Sequence, residues 1–281
     1  MNSHRSQKLA FFCLLLATLL VVIPVGMVVV IIVQKGLPGI SWEFLTDVPR
    51  KGMRAGGIYP AIIGTLYLVT GAIVFALPIG LLAAIYLSEY SRDNFLTRVI
   101  RLAIVNLSGV PSVVYGLFGL ALFVVFFNFG ASILAGSLTL GIMILPIVIT
   151  TSREALESVP EAFREVSLSL GASKWQTIRH VVLPNAIPGI LTGTILGLGR
   201  AAGETAPILF TVAAFYLPQL PSSIFDQAMA LPYHLYVIST QVPNVDEKIR
   251  YGTAFVLLAM VLFMNLLATI IRSRLRKNKR W

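Results

Sequence analysis

Charged residues are scarce in this 281-residue chain, and cysteine is almost absent. Asp, Glu, Lys and Arg make up 12% of the residues and hydrophobic residues 57%, whereas a soluble domain carries about 25% charged residues. The chain therefore has about half of the water-facing complement that a soluble enzyme needs. Its single cysteine, Cys13, lies in an apolar run, which excludes an intrachain disulfide.

Motifs for catalysis and nucleotide binding are also missing from the sequence. It contains no Gly-x4-Gly-Lys-Ser/Thr loop, so it has no phosphate cradle for ATP. It shows no nucleophile–base–orienter set, and His180 and His234 lack metal-ligand spacing and are expected to be solvated or interfacial. Asp226 is expected to be a solvated loop acid. We therefore expect no enzyme activity, no metal and no cofactor.

Long uncharged stretches, by contrast, fill most of the chain. Five of them exceed the roughly 18–20 apolar residues that cross a membrane. The longest must turn back, and Asn128-Phe129-Gly130-Ala131-Ser132 has the composition of a turn. The sequence predicts an all-α membrane protein with six transmembrane helices at about residues 9–34, 58–88, 100–127, 132–151, 185–216 and 251–271.

The basic residues predict which way the helices cross. Most of the 22 Lys and Arg residues fall on the side that holds both tails, including the cluster that begins at Arg272. Because basic residues concentrate on the cytoplasmic side, both termini are predicted to be cytoplasmic, and the net charge of +10 does not indicate nucleic-acid binding. The predicted units are 1–56 (tail, first anchor helix and outer loop), 57–272 (core, with a cytoplasmic loop at 153–184) and 273–281 (basic cytoplasmic tail).

The cytoplasmic loop has the pattern of two capped helices. Ser158 is predicted to be the N-cap of the first, with Pro160 in its first turn, and Gly171 is expected to end it. Ser173 and Gln176 have capping-box spacing and start the second.

This second helix is expected to end at Leu183-Pro184. Phe163, Val166 and Leu170 are spaced to form one apolar face of the first helix. The loop could lie on the lipid surface, but its mixture of acids and bases favours a protein partner. The charged residues expected on its surface are Glu161, Arg164, Glu165, Lys174 and Arg179.

The fifth predicted span contains two charged residues, Arg200 and Glu204. Charge inside a span is costly and indicates a functional site by default. One interpretation is an ion pair that stabilises the bundle, because the residues are four apart. The other is an anion site: Pro207 should break the helix, Thr205 would cap a second half-helix, and its N-terminus and Arg200 would attract an anion. Glu204 opposes that role unless it releases Arg200 as the substrate passes.

Small residues precede this site in a regular stripe. Gly189, Gly193 and Gly197 are four residues apart, so they lie on one face of the helix. Such a stripe allows a second helix to approach closely. It is expected to face a partner subunit or an adjacent core helix.

The cytoplasmic loop resembles the EAA loop of ABC-importer permeases, whose pattern is E-A-A-x3-G-x9-I-x-L-P. The matching positions are Glu165, Gly171 and Leu183-Pro184, while Val166, Ser167 and Val181 are conservative departures. The resemblance implies that this loop docks on an ATPase subunit. The implied coupling residues are Glu161, Glu165, Gly171, Ala172, Ser173 and Lys174.

Three further segments, 57–65, 106–116 and 200–207, are similar to PstA-type permeases of phosphate importers. The resemblance implies a type I ABC-importer (MetI-like) permease in the bacterial inner membrane, with Arg200, Glu204 and Thr205 on the substrate path. It also implies a set of partners: a PstC-like second permease, two copies of a PstB-like ATPase, an external PstS-like phosphate-binding protein, inorganic phosphate and the lipid bilayer. The alternatives are an ion-coupled secondary transporter or channel for anions, and an ABC permease for another oxyanion such as sulfate or molybdate.

Overall fold

The computed structural model describes residues 3–277 and is dominated by helices. In chain order they are α1 (Ser3–Gly36), α2 (Trp42–Thr46), α3 (Tyr59–Ile85), α4 (Phe95–Ser108), α5 (Ser112–Gly119), α6 (Ile133–Glu157), α7 (Glu161–Ser169), α8 (Lys174–Thr177), α9 (Leu183–Gly203), α10 (Ala206–Thr211), α11 (Leu231–Thr240) and α12 (Glu247–Lys277). The strands β1 (Pro49–Arg50) and β2 (Ala55–Gly56) form a small antiparallel hairpin. Residues 278–281 of the predicted basic tail lie outside the described residues.

Within residues 3–277, five helices are long and apolar enough to cross a membrane, and a bent pair makes a sixth candidate when it is counted as one span. The core is formed where α3, α6 and α9 pack side by side. Leu68 and Ala72 of α3, Leu140 and Ile144 of α6 and Ala201 of α9 are among its fully buried residues. The loop end of this bundle carries residues 86–94 and 158–173, and the far end carries residues 128–132 and 212–230.

The glycine stripe of α9 faces an adjacent core helix, which was one of its two predicted neighbours. Side chains added at Gly189 and Gly193 would meet Ala155 and Thr151 of α6. The absence of a Cβ therefore allows the α6 and α9 backbones to approach closely.

The first helix is attached to the bundle mainly at one end. None of the most apolar part of α1 is buried in the chain. Its last residue, Gly36, lies against the backbone of Tyr251 in α12. Lys35 pairs with Glu247 at 3.4 Å and lies over the ring of Tyr251. Most of α1 is thus free to contact lipid or another subunit.

The predicted third span, 100–127, is a sharply bent pair of helices. The helix is interrupted after Ser108, and the axes of residues 95–108 and 112–126 differ by 103°. Pro111 has extended backbone angles (φ −58°, ψ 142°), and a proline disfavours helix in the residue before it. The predicted turn at Asn128–Ser132 is confirmed, because Asn128 and Gly130 have positive φ and α6 begins at Ile133.

The predicted bounds of the fifth span, 185–216, are also wrong at both ends. The helix already begins at Lys174 and passes through a π turn, Ile178–Val182, without a break. It ends at Gly203. Beyond α10 the chain becomes extended because Ala214 and Val212 pair with Ala228 through backbone hydrogen bonds. The expected end of the second loop helix at Leu183-Pro184 therefore does not exist.

His234 is buried, contrary to the expectation that it is solvated or interfacial. It lies on α11, is 2% exposed, and its Nδ1 has no hydrogen-bond partner among the described residues. Burial lowers the pKa of this histidine to about 4, so the side chain is neutral at physiological pH. Helix α11 packs against α3 and α12.

Asp226 was expected to be a solvated loop acid. In the structure it also organises a turn at residues 222–226, called here the far-end turn. Its carboxylate accepts hydrogen bonds from the backbone amides of Ser222 and Ser223, both at 2.8 Å, and from the Ser222 hydroxyl at 2.9 Å. The backbone of the same turn accepts from the amides of Ile133 and Leu134. The turn therefore satisfies two free donors at the start of α6.

We expect Gly193→Ala to destabilise the protein, because the new methyl group would overlap Thr151. Overpacking of this kind lowers the free energy of unfolding by about 1–3 kcal/mol. The matched control is Gly26→Ala, since nothing lies within 4 Å of that position. Thermal unfolding of the detergent-solubilised variants measures the difference, and equal melting temperatures would contradict the close approach of α6 and α9.

The far-end turn should open at acid pH. Hydrogen bonds from the Ser222 and Ser223 amides lower the pKa of Asp226. A lowered pKa means that the ionised carboxylate stabilises the turn above the ordinary aspartate pKa, and that this stabilisation is lost as the pH falls through the lowered value. Amide hydrogen exchange at Ser222 and Ser223, corrected for its intrinsic pH dependence, should accelerate in that range. Asp226→Asn should abolish the pH dependence, and an unchanged profile in that variant would assign the effect to another group.

Candidate functional site

An ion pair occupies the end of α9. Arg200 lies in the last helical turn, and its Nε is 3.3 Å from Oε1 of Glu204. The side chains are 29% and 18% exposed. Glu204 already has extended backbone angles, so the pair connects the helix to the residue that ends it. The predicted pairing is therefore present in the structure.

The pair lies near the middle of the bundle. Gly197 packs on Ile144 and Val148, which lie about halfway along α6. Arg200 is three residues, about 4.5 Å, further toward the far end. A charge at this depth in a membrane costs several kcal/mol unless it is paired or hydrated.

The guanidinium of Arg200 has unused donors. Its hydrogen bond to Glu204 uses Nε alone, and Nη1 and Nη2 have no partner in the part of the chain that the structure describes. A planar fork with free N–H groups matches the oxygens of phosphate and related oxyanions. The site can therefore accept an anion without first breaking every contact of Arg200.

The predicted break in the helix is confirmed. Helix α9 ends at Gly203, Glu204 is extended, and α10 begins at Ala206 with Pro207 in its first turn. Thr205 occupies the N-cap position as predicted, but its side chain makes no capping hydrogen bond, and its ψ of −45° is helical. Because α10 has only six residues, its dipole adds little to the site, and Arg200 is the main positive group.

Close packing of α5 holds the break in place. A side chain at Gly116 would overlap Phe210 and the carbonyl oxygen of Ala206. Tyr115, also on α5, lies close enough to Arg200 to interact with its charge, and its hydroxyl donates to the carbonyl of Leu107 at 2.7 Å. Two of the sequence segments that carry the resemblance, 106–116 and 200–207, therefore contact each other here.

The loop-end element has the predicted helix–glycine–helix form. Helix α7 is followed by Gly171 with a φ of 85°, a conformation that only glycine adopts without strain. The predicted capping box is confirmed: Ser173 Oγ accepts from the Gln176 amide at 3.3 Å, and Gln176 Oε1 accepts from the Ser173 amide at 2.7 Å.

The predicted start of α7 is wrong by two positions. Ser158 ends α6, and its hydroxyl donates to the carbonyl of Ala155 at 2.8 Å. Pro160 is the N-cap of α7, so Glu161 is the first helical residue and not the third. Because α6 continues to Glu157, the linker between the two helices has only three residues.

The loop presents both charge and apolar surface. The predicted coupling residues Glu161, Glu165, Gly171, Ser173 and Lys174 are exposed, and Ala172 is partly buried. The predicted apolar face of α7 is divided: Phe163 packs on the core, whereas Val166 and Leu170 are 60% and 84% exposed. Exposed apolar groups ringed by charge are typical of a docking surface for another protein.

Arg164 is not on the surface, although it was expected there. Its side chain is 12% exposed and pairs with Glu89, which is 7% exposed, at 2.8 Å. The two residues are 75 positions apart in sequence, so no local pattern could indicate this contact. It is the principal residue of the loop that sequence reasoning misplaced.

Comparisons with known proteins relate the chain to transport permeases. Residues 76–281 match the family described as "Binding-protein-dependent transport system inner membrane component". The chain is 35% identical to a probable ABC transporter permease protein, YqgI of Bacillus subtilis, over 99% of this chain and 100% of the relative. It is 36% identical to the phosphate transport system permease protein PstA of Xylella fastidiosa, over 88% of this chain and 85% of the relative.

Solved structures show a similar arrangement of helices. A chain of a bacterial ABC transporter for alginate aligns with a TM-score of 0.68 and 15% identity, covering 96% of both chains. A chain of the inward-facing MetNI methionine ABC transporter aligns with a TM-score of 0.62 and 16% identity, covering 78% of this chain and 97% of that one. At this level of identity the likeness concerns the fold.

Proposed function

The chain belongs to the family of binding-protein-dependent transport system inner membrane components, and we propose that it is the PstA-type permease subunit of an ATP-driven importer of inorganic phosphate. The fold is that of type I ABC-importer permeases, as the sequence predicted. The proposed substrate, inorganic phosphate, is supported by the 34–38% identity of most of the chain to permeases named for phosphate transport.

A permease of this family works within an ABC transporter that includes an ATPase, a substrate-binding protein and a partner permease. For this chain we propose a PstC-like permease, two copies of a PstB-like ATPase and an external PstS-like phosphate-binding protein. The loop end would face the cytoplasm of a bacterial cell, with both termini on that side. The excess of basic residues beside the tails and the exposed docking surface of the loop support this orientation.

The helix that contains Arg200 offers a direct mechanical route from the ATPase. Residues Lys174–Gly203 form one continuous helix of 30 residues, so the coupling loop and Arg200 are parts of one rod. ATP binding would close the ATPase dimer and displace the loop, and the rod would then move the region around the helix break. That movement would alternate access to the path between the two sides of the membrane.

At the break, the ion pair would act as the resting state of the path. Glu204 neutralises Arg200 while no anion is present and reduces the cost of the buried charge. A passing phosphate would bind the free Nη1 and Nη2 donors and compete with Glu204 for the guanidinium. Thr205, at the break itself, offers a hydroxyl beside them. The carboxylate would also prevent the anion from binding too tightly to leave.

Reconstitution tests the proposed substrate. The chain with its partner permease and ATPase should accumulate labelled phosphate in proteoliposomes when ATP and phosphate-loaded binding protein are supplied. Unlabelled phosphate should compete, whereas equal sulfate or molybdate should not. Displacement by sulfate or molybdate would indicate an importer of another oxyanion, and uptake by the chain alone would indicate a secondary transporter or channel.

Arg200→Gln should slow phosphate uptake without preventing assembly. A hydrogen bond to a charged group is worth about 1.5–3 kcal/mol, so the rate should fall by about tenfold or more. Arg98→Gln is the matched control, because Arg98 is exposed on α4 and far from the break in sequence. Uptake and the yield of the purified complex are measured together. Normal uptake by Arg200→Gln would remove this residue from the path.

A further inference from the structure

The coupling loop contacts the end of α3 through an ion pair. A π turn, Tyr86–Tyr90, follows α3 at the loop end. There the guanidinium of Arg164 holds Glu89 with two hydrogen bonds, Nη2 to Oε1 at 2.8 Å and Nε to Oε2 at 3.4 Å. A bidentate contact between arginine and a carboxylate fixes the relative orientation of the two side chains as well as their distance.

The same guanidinium also closes the end of α6. Its Nη1 donates to the carbonyl of Val159 at 2.6 Å, and its Nη2 donates to that of Leu156 at 2.9 Å. The carbonyl of Leu156 also accepts from the Val159 amide at 3.2 Å, so the guanidinium adds a second hydrogen bond there. One side chain of α7 therefore joins the ends of α3 and α6.

A second contact connects the other helix of the loop to the same turn. The ammonium group of Lys174, at the start of α8, lies 5.1 Å from the centre of the Tyr90 ring. Both helices of the coupling loop thus touch the π turn after α3. Glu89 provides the only charge on this turn, so its pair with Arg164 is the stronger of the two attachments.

The opposite half of α3 is bonded to the far end of the bundle. Thr65 Oγ1 accepts a hydrogen bond from the backbone amide of Leu231 at 2.8 Å and donates to the carbonyl of Ala61. Gly64 lies directly against the carbonyl of Met229. Thr65 and Glu89 are separated by about 36 Å at the rise of a helix. Helix α3 therefore spans from the coupling loop to the segment 228–231.

We propose that the buried Glu89–Arg164 pair is a positioning joint that transmits movement of the coupling loop to α3, in parallel with the route through α9. The inference rests on the proposed transport function. Helix α9 is covalently continuous with α8 and needs no ion pair to follow the loop. Helix α3 is separated from the loop in sequence and follows it through this joint. The ATPase then moves both the helix break and the far-end segment that α3 holds.

Two fluorescent reporters separate the routes. In a Cys13→Ser background, single cysteines replace Tyr67 on α3 and Leu196 on α9, which are 48% and 56% exposed. The complete transporter is labelled and reconstituted, and the change on ATP binding is recorded. In Glu89→Gln we expect the signal change at position 67 to fall severalfold and that at position 196 to persist. Phosphate moved per ATP hydrolysed should also fall severalfold.

Matched variants exclude a general loss of structure. Glu157→Gln removes a half-exposed carboxylate at the same end, where it pairs loosely with Arg153 at 3.7 Å, and should leave both signals unchanged. Glu89→Asp keeps the charge and should restore part of the signal at position 67. Unchanged signals in Glu89→Gln, or an equal loss of signal at positions 67 and 196, would contradict the proposed joint. If the parent complex does not hydrolyse ATP in response to phosphate-loaded binding protein, the proposed function itself fails and the joint fails with it.

Discussion

A single unbroken helix connects the exposed coupling loop to the half-buried guanidinium of Arg200. Its 30 residues include a π turn where a helix end was expected. Because this helix is continuous from Lys174 to Gly203, a displacement of the loop is expected to displace Arg200 with it. The neighbouring helices of the core pack against this helix and against the segment that follows it. The glycines of α9 bring it into close contact with α6, and α5 packs against the short helix that follows the break.

The ion pair at the break reconciles two interpretations that the sequence left open. Pairing lowers the cost of charge at mid-depth, which a structural role requires. It uses only one of the five donors of the guanidinium, so the pair also leaves capacity for an anion. A stabilising contact in the empty protein and a binding contact during transport are therefore compatible. The short α10 contributes little, and the site depends on the side chain of Arg200.

Local patterns were reliable where a few neighbouring residues control the outcome. The capping box at Ser173, the positive φ at Gly171 and the break after Gly203 follow from backbone chemistry within one or two turns. Patterns failed where a distant element intervened. Ser158 was misassigned because α6 continues further than its apolar run, and the predicted span 100–127 is divided by a bend of 103° between residues 108 and 112.

The sequence by itself determined the membrane-spanning helical class, the helix–glycine–helix form of the loop at 153–184 and the family. These properties depend on composition, periodicity and contiguous motifs. Only the tertiary structure decided that Arg164 and Glu89 are buried and that they meet each other. Arg164 and Glu89 have ordinary local surroundings in the chain, and they become partners because the ends of α3 and α6 lie beside the start of α7. A contact across 75 positions is a property of packing, and no periodicity in one segment encodes it.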